Sequence, residues 1–469
     1  MSELNTLLRK KEILLRQLAA LDLQINHVKA THRCLSNQAA PFFKLPIELI
    51  ISIFEICICN ASSRHSGIRS PFEIVASQVC SRWRDIILHL PHFWNTIDLR
   101  IRGSDLQKAR ILRRLSLYLS RSTPVLLDIF IVADLLDTAL HLLIPHASRW
   151  RSLCLITSSS VTEPIYQALH QLSVPALEYI SLRTAPAHDT EFHPYGTDSH
   201  PYFNFPSLLP QILSSTSSLS LVRLVGTALW TLQPSLTSVH TLHLGGCGSM
   251  HMTFQQFSAL MATMPCLVNL SLGQLYIRVP SGAENGHNLT LATLKHVRIC
   301  DHGGQPGIFM SLLNLPMVES LSLRNVESFD SVARPTVQSI AFEACPLSPN
   351  ELWNTVEAFP SVVSLTMDQS VEALYALLGF SSGQVKWPAL KTITIYDLIP
   401  INVQTFCDMV QDRIQAGKPL SCVRLNRRGR NVLKKKERLE WLCDRVMMEN
   451  HDFEESWPPG LDFPDPDDN

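Results

Sequence analysis

A short string of residues, apolar-x-x-apolar-x-apolar, recurs along most of this chain. It first occurs as "WNTIDL", ending at Leu99, and its last of thirteen copies is "LSCVRL", ending at Leu425. Successive copies end 19 to 30 residues apart, except for 42 residues between Leu182 and Leu224. Because residues two apart in a strand point to the same side, each copy predicts a short strand with one apolar face. Such a unit cannot bury that face alone, so the copies must stack.

The spacing and the flanking residues indicate which repeat this is. Most intervals lie near the 20–29-residue period of leucine-rich repeats. A proline often precedes the string, as in "PALEYISL" and "PCLVNLSL", where it can end a helix and admit a strand. We therefore expect an α+β fold overall, with an α/β leucine-rich-repeat solenoid (a horseshoe) over residues 96–430. A stacked strand face of this kind suits a large partner.

Two cysteines occupy a fixed place in the repeat. In "VHTLHLGGC" and "VQSIAFEAC", Cys247 and Cys345 follow the last apolar residue by three positions, at the Asn/Cys position of the consensus. We expect both to be buried structural thiols rather than nucleophiles. The long interval around 187–206 is expected to be a loop insertion on one rim of the array.

The N-terminal 40 residues predict a helix with an apolar seam. The a and d positions of a heptad over residues 4–29 are apolar except for Lys11. The apolar members are Leu4, Leu7, Leu14, Leu18, Leu21, Ile25 and Val28. Because such a helix is marginal alone in water, we expect residues 4–28 to pair with another helix. A second copy and the chain's own downstream region are both open as partners.

Residues 41–95 predict a small helical module. In "PFFKLPIELIISIFEICI", Pro46 suits the first turn of a helix and Glu48 complements the positive end of its dipole. The apolar residues that follow on all sides indicate a helix covered from several directions. A second helical stretch spans 71–91, and the polar pair 77–78 can interrupt it.

The chain closes with two charged blocks. Residues 424–438 contain eight Lys or Arg and one Glu, and residues 452–469 contain seven Asp or Glu and no Lys or Arg. The basic block is typical of a nucleic-acid or localisation segment, or of the solvated face of a capping helix over 431–450. The second reading is favoured by an apolar stripe of Val432, Leu439, Leu442, Val446 and Met447. The acidic end, 451–469, predicts a disordered tail.

Composition narrows the class of protein. A formal net charge of −1 does not favour attraction to nucleic acid or to an anionic membrane. The most apolar run, 124–145, carries Asp128, Asp134 and Asp137, which makes a membrane span too costly. The start of the chain is a charged heptad rather than a signal peptide. We expect an intracellular protein, cytoplasmic and/or nuclear, with its twelve cysteines reduced.

No motif in the sequence indicates catalysis. The chain has no GxxxxGK[ST], HExxH or CxxC. The Gly-rich stretch 244–251 lies inside a repeat and has the wrong spacing for a phosphate loop. His240 and His243 are three apart in a strand and so point to opposite faces, which does not suit one metal ion. The sequence predicts a protein that is not an enzyme, without catalytic, cofactor-binding or metal residues.

The helical module carries a family resemblance. "LPIELIISIF", "VCSRWRDII" and "PHFWNTIDL" together resemble the F-box, whose pattern is LPxELxxxIF … VCxxWRxxxxxxPxLWxxI. The match covers about 55 residues, and the loop at 60–70 is longer than in the compact pattern. With its heptad helix and degenerate repeats, the chain looks most like the F-box proteins numerous in mushroom-forming fungi.

The resemblance implies a partner and a surface. An F-box docks on a Skp-type adaptor, which a cullin scaffold holds within a ubiquitin ligase. The residues implied for adaptor binding are Leu45, Pro46, Ile47, Glu48, Ile50, Ile53, Phe54, Val79, Cys80, Trp83 and Arg84. Proline and aliphatic side chains suit the core of an interface, and Trp and Arg are enriched at hot spots.

Together these patterns predict the substrate receptor of an SCF-type E3 ubiquitin ligase, with the repeats binding an unknown target protein. The outward residues of the strands would line the target face; we expect His243, Ser271, Arg298, Ser322 and Thr394 there. The alternative is a repeat scaffold that binds a partner without a ubiquitin role and keeps a vestigial F-box. Neither a membrane nor a nucleic acid is expected as a partner.

Overall fold

The structure is a computed structural model, and it divides the chain into two compact units, one ending at Phe93 and the other beginning at Trp94. It describes residues 2–39, 41–62, 71–101, 105–133, 136–158, 162–185, 212–226, 228–231, 234–246, 251–279, 289–300, 306–326, 329, 333–368, 373–379 and 385–450. The expectations for Cys247, for most of the 60–70 loop, for the insertion at 187–206 and for the acidic tail lie outside these residues.

The first unit is helical. Its helices are α1 (Ser2–Ala39), α2 (Ile47–Ser62), α3 (Phe72–Ala76) and α4 (Ser81–Leu88), with 3₁₀ turns at Pro41–Lys44 and Pro91–Trp94. The break predicted at 77–78 separates α3 from α4. Cys80 caps the start of α4, since its sulfur accepts the Trp83 amide at 3.4 Å.

Aromatic rings hold α2, α3 and α4 together. Phe54 is 1% exposed, and its ring centroid lies 5.6 Å from that of Phe72, 4.9 Å from Trp83 and 6.4 Å from Phe93. Phe42 meets the other side of Trp83 at 5.1 Å. Edge-on and tilted ring pairs add to the burial of area, so this cluster is the core of the helical module.

Helix α1 has a different character, because its apolar side chains lie in solvent. Every side chain described between residues 3 and 32 is exposed. The a and d side chains are 47–65% exposed; they are Leu4, Leu7, Leu14, Leu18, Leu21, Ile25 and Val28. The sequence left two partners open for this seam, a second copy and the chain's own downstream region. The described residues of that downstream region do not cover it.

The second unit is built on a 14-stranded parallel sheet whose strands follow chain order. Its strands are β1 (Thr96–Ile101), β2 (Leu127–Ala133), β3 (Trp150–Ser158), β4 (Tyr179–Ala185), β5 (Leu221–Val225), β6 (Thr241–Gly245), β8 (Asn269–Gly273), β11 (His296–Cys300), β13 (Ser320–Arg324), β14 (Ser339–Glu343), β15 (Ser364–Met367), β16 (Thr392–Ile395), β17 (Cys422–Leu425) and β18 (Met447–Asn450). Two small parallel pairs flank it, formed by β7 (His251–Thr253) with β9 (Tyr276–Arg278) and β10 (Leu289–Thr290) with β12 (Leu313–Asn314).

Helices connect many of these strands, as parallel pairing requires. They are α5 (Asp105–Arg121), α6 (Leu136–Leu143), α7 (Thr162–Leu169), α8 (Ala228–Thr231), α9 (Phe254–Ala262), α10 (Pro306–Ser311), α11 (Pro349–Ala358), α12 (Ala373–Leu378), α13 (Val403–Gln415), α14 (Arg427–Lys435) and α15 (Leu439–Cys443), with a 3₁₀ turn at Ile144–Arg149. The described chain is therefore a mixed α and β structure around one long parallel sheet, which agrees with the α+β class expected from the sequence.

All thirteen copies of the recurring string lie at strands of the main sheet. Their inward residues form two continuous apolar rows, since Leu242 and Leu244 pair with Leu270 and Leu272 and the same alternation continues on both sides. All four side chains are fully buried. The apolar pair in each string thus makes the core of this unit, and each pair is covered by its neighbours.

The expectation of a C-terminal helix over 431–450 is wrong for the second half of that range. Helix α14 stops at Lys435, Glu437 has a positive φ of 55°, and Met447–Asn450 is a strand that pairs with β17. Within α14 the buried apolar residue is Leu433 rather than Val432, and Met447 is 58% exposed. The left-handed residue ends the helix, so the chain returns to the sheet and caps it with a strand.

Three arginines tie neighbouring units of the array together. Arg149 donates to the carbonyls of Ser122 and Val125 at 2.7 and 2.8 Å, just after α5 ends. Arg334 donates to those of Met310 and Leu313 at 2.6 and 3.0 Å, at the end of α10. The last carbonyls of a helix have no partner within it, so a guanidinium from the next unit satisfies them.

Arg413 is the most buried of the three. Its side chain is 0% exposed, and it donates to the carbonyls of Lys386 and Trp387, each at 2.9 Å, and of Leu390 at 3.3 Å. Burial lowers the pKa of Arg413 to about 10, which still leaves it charged at pH 7. No carboxylate is among these contacts, so the charge is held by backbone dipoles alone.

We expect Arg413→Met to lower the free energy of unfolding by at least about 3 kcal/mol, because several buried carbonyls lose their donor at once. Urea unfolding followed by tryptophan fluorescence measures this. Arg110→Met, at an exposed position of α5, is the matched control and should change stability by less than about 0.5 kcal/mol. Equal midpoints for the two variants would contradict the role of Arg413.

Candidate docking surface and strand face

The first unit exposes a set of aliphatic side chains on α2 and around α3, here termed the aliphatic set. Each is between 38% and 60% exposed; they are Ile47, Leu49, Ile53, Ile56, Val75 and Val79. Four of them lie on α2, which also supplies the buried Ile50 and Phe54. One side of α2 therefore builds the module and another leaves apolar area in water, a pattern that marks interaction sites.

A cleft of about 470 Å³ adjoins this set between α2 and α4. The α2 side is apolar, with Ile47 and Ile51, and the α4 side is mostly polar. The lining residues of α4 and its end are Ser81, Arg82, Asp85, Ile86, His89 and Leu90. An apolar wall facing groups that can form hydrogen bonds suits a protein segment with an aliphatic anchor.

The eleven residues implied for adaptor binding divide by exposure. Six are exposed: Pro46, Ile47, Glu48, Ile53, Val79 and Arg84. Leu45, Cys80 and Trp83 are half-buried. The remaining two, Ile50 and Phe54, are 0% and 1% exposed. The structure thus corrects their placement on the surface, because both side chains are buried and Phe54 lies in the aromatic core that joins the helices.

Trp83 and its neighbours are held by contacts inside the module. Trp83 packs between Phe42 and Phe54, so most of its ring supports the fold. Arg84 donates through Nε to the Ser77 carbonyl at 2.8 Å. Arg82 donates to the Leu45 carbonyl at 3.2 Å and so links α4 to the segment before α2.

Sequence reasoning missed Leu49, Ile56 and Val75 as exposed apolar residues. The signal was present in α2, since 49, 53 and 56 are spaced as neighbours on one face of a helix. A second stripe, 50 and 54, lies about 100° away on the same helix, and only one of the two stripes can face the core. Which stripe is buried depends on where Phe72 and Trp83 lie, and that is a tertiary property.

The second candidate surface is the polar side of the main sheet. One residue from each strand forms a continuous row, here termed the central row. In sheet order it runs Asp98, Phe130, Cys154, Ser181, Arg223, His243, Ser271, Arg298, Ser322, Ala341, Thr366, Thr394, Arg424 and Glu449. All five residues expected on the target face, His243, Ser271, Arg298, Ser322 and Thr394, lie in this row.

Membership of the row does not mean equal access. His243, Arg298 and Ser322 are half-exposed, whereas Ser271 is 0% and Thr394 is 3% exposed. Ser271 is covered partly by His243, whose Nδ1 lies 2.9 Å from the Ser271 hydroxyl. Short side chains between longer ones are buried by their neighbours along the row, which the strand pattern alone does not reveal.

Charge on this face changes along the sheet. At one end Arg151 is bound to Asp128, and at the other Arg424 donates to Glu449 at 2.8 Å. Between them His296 lies two residues before Arg298 on the same side of β11. Burial lowers the pKa of His296, so the ring is neutral near pH 7.

Three arginines of the basic block at 424–438 form contacts within the protein. Arg424 pairs with Glu449, Arg430 donates to the Met448 carbonyl at 3.1 Å, and Arg438 donates to Gln404 at 3.1 Å. Lys434, Lys435 and Lys436 remain exposed at the end of α14. Arg427 and Arg428, at the start of α14, are exposed as well, so the block keeps exposed charge at both ends of this helix.

Elsewhere the described residues offer little for chemistry. A polar cleft of about 920 Å³ is lined by His170, Gln171, Leu213 and Ser or Thr residues, with no carboxylate or Lys/Arg among them. No group of three or more His, Cys, Asp or Glu able to hold a metal ion occurs in the part of the chain that the structure describes. Among the same residues, no helix is long and apolar enough to cross a membrane.

Cys345 is buried, as expected from the sequence. It is 0% exposed, and its sulfur donates to the carbonyls of Leu323 and Glu343 at 3.3 and 3.2 Å. Burial raises the pKa of Cys345 to about 11, and that of Cys407 likewise to about 11. A thiol of this kind is a structural residue, because the thiolate is the nucleophile.

Comparison of the sequence with models of known protein families finds no match, and comparison with curated proteins finds no significant match.

We expect Cys345 and Cys407 to resist alkylation in the folded protein. With a pKa of about 11, only about one thiol in a thousand is ionised at pH 8, and both side chains are buried. Exposed Cys266 and Cys443 are the internal controls and should react with iodoacetamide first. Peptide mass mapping over time measures the order, and labelling of Cys345 as fast as Cys266 would refute the expectation.

Proposed function

We propose that this protein is a substrate receptor of an SCF-type ubiquitin ligase, in which residues 41–95 act as an F-box and the repeat array from about 96 to 430 acts as a leucine-rich-repeat solenoid that binds a target protein. The chain would carry out no transfer chemistry itself. Its contribution would be to hold the target near the transferring enzyme, which raises the effective concentration of the reacting groups.

The observation that carries the proposal is the difference in exposure between residues at the start of α2. Of the residues implied for adaptor binding, Ile50 and Phe54 are buried while Pro46, Ile47 and Ile53 stay exposed. Holding the module together does not require the exposed three. An aliphatic surface of this kind, bordered by the half-polar cleft along α4, fits a protein adaptor with its own apolar segment.

The long sheet supports the receptor half of the proposal. Fourteen parallel strands place one side chain each in the central row, which makes an extended surface of mixed polar residues. Stacked repeats of this type suit a large partner better than a small molecule.

Ile47→Asp combined with Val79→Asp should abolish capture of a purified Skp-type adaptor, or weaken it at least about tenfold, because two charges then face an apolar interface. Both positions are about half exposed, so folding should be kept. Ile401→Asp is the matched control, since Ile401 is 78% exposed and lies in the second unit. Surface plasmon resonance with immobilised adaptor gives the affinities, and unchanged binding by the Ile47/Val79 variant would overturn the proposed surface.

The alternative, a repeat scaffold with a vestigial F-box, predicts a different result in one assay. A functional receptor brings a cullin into the same pull-down as the adaptor, and the Ile47/Val79 variant loses both. A scaffold brings neither, or the adaptor without the cullin. Capture from a cell extract followed by immunoblotting for the cullin separates the two readings.

Helix α1 favours self-association as a further part of the proposal. Its seam is about half exposed along its length, and the same seam on a second copy is complementary to it. Lys11 at an a position is a polar residue of the type that fixes register and oligomer state at some cost in stability. Pairing two such helices removes both seams from water.

Leu14→Asp with Leu21→Asp should convert a dimer to a monomer, because both side chains lie at d positions of the seam. Leu23→Asp is the matched control: Leu23 is 72% exposed on the same helix but lies outside the a and d positions. Sedimentation velocity measures the mass. A monomeric wild-type protein at micromolar concentration would remove self-association from the proposal.

A further inference from the structure

The middle of the polar face carries an unusual run of basic side chains. Six strands that are neighbours in the sheet, β4, β5, β6, β8, β11 and β13, include four arginines. These are Arg183, Arg223, Arg298 and Arg324, here termed the arginine band. None of the residues that the structure assigns to these six strands is Asp or Glu.

The strand register puts the whole band on one side of the sheet. Arg223 and Arg298 lie in the central row, with His243 between them on β6. Arg183 pairs with Val225 and Arg324 lies two residues after Ser322, so both belong to the adjoining row on the same face. Arg183, His243, Arg298 and Arg324 are half-buried, while Arg223 is 4% exposed.

Three carboxylates of the described chain lie just outside the six strands. Glu319, just before β13, is bound to Lys295 at 2.9 Å. Glu343, on β14, lies 3.7 Å from Arg324. Glu178, just before β4, is exposed. The acidic residues thus border the six strands, and the guanidinium groups lie within them.

We propose that the arginine band binds a segment of the target protein rich in Asp and Glu, which gives the receptor a preference for acidic targets. This inference rests on the proposed function, since it specifies what the strand face would receive. Guanidinium groups bind carboxylates in pairs of hydrogen bonds, and the hydroxyl of Ser322 and the ring of His243 add neutral partners beside them.

The geometry also sets the length of the segment. Neighbouring strands lie about 4.8 Å apart, so the four steps from β4 to β11, which separate Arg183 from Arg298, span roughly 19 Å. An extended chain advances about 3.3 Å per residue, so about six residues cover this distance. Carboxylates placed at both ends of such a segment would reach Arg183 on β4 and Arg298 on β11 together.

The test uses the full chain and a fluorescein-labelled decapeptide of Asp, Glu and Gly. Its partner probe is the same peptide with Asn and Gln in place of Asp and Glu. Fluorescence anisotropy should show binding of the acidic peptide and at least about tenfold weaker binding of the amide peptide. Equal binding of the two peptides, or no binding of the acidic one, would overturn the inference.

Variants locate the binding on the face. Arg298→Gln should weaken the acidic peptide at least about fivefold, because one charge-assisted pair is lost. Arg100→Gln removes the same charge from the same side of β1, outside the band, and should change affinity less than about twofold. Equal effects of the two variants would refute the band, as would preferential binding of a single-stranded DNA decamer, which would assign the face to nucleic acid.

Two further measurements separate the possible failures. A full-length variant with Asp462, Asp465, Asp467 and Asp468 changed to Asn should bind the acidic peptide as the wild type does. Binding by this variant alone would mean that the chain's own acidic end occupies the band, and would overturn the preference for an external target. Adaptor binding is measured in parallel: its loss with peptide binding intact refutes only the F-box assignment, and the reverse refutes only the arginine band.

Discussion

The structure of the larger unit depends on apolar side chains that no single repeat can bury. Leu242 and Leu244 reach zero exposure only because Val222 and Leu224 lie on one side and Leu270 and Leu272 on the other. Each of the first thirteen strands contributes two such positions, so the core is a pair of long rows rather than a cluster. The hydrophobic effect therefore fixes the order of strands along the sheet, and everything on the polar face inherits its register from that order.

This dependence explains which features the sequence could predict. A period-2 apolar string defines both the strand and the side it buries, so thirteen strand positions and the membership of His243 and Arg298 in one row followed directly. Exposure within the row did not follow, because Ser271 is covered by a neighbour that is 28 residues away in sequence. The last strand was also missed, since Met447–Asn450 continues an apparent helical pattern and only the left-handed Glu437 interrupts it.

In the helical module, the sequence did not show which side of α2 is buried. A helix that is apolar on several sides does not indicate which side faces its own domain. For α2 the answer depends on Phe72 and Trp83, which surround Phe54 and leave Ile53 outside. The F-box resemblance placed both residues on one surface, whereas physical packing separates a residue that holds the helices from one that is available to a partner.

Arg149, Arg334 and Arg413 have a consequence for how the array opens. Each donates to backbone carbonyls of the preceding segment, at a helix end for Arg149 and Arg334 and in the turn before β16 for Arg413. A segment that detaches therefore takes away its neighbour's hydrogen-bond donors as well as its apolar cover, and we expect the array to open in blocks rather than one strand at a time. The array would respond to thermal fluctuation as a few stiff segments joined where such arginines are missing, rather than as a chain of independent links.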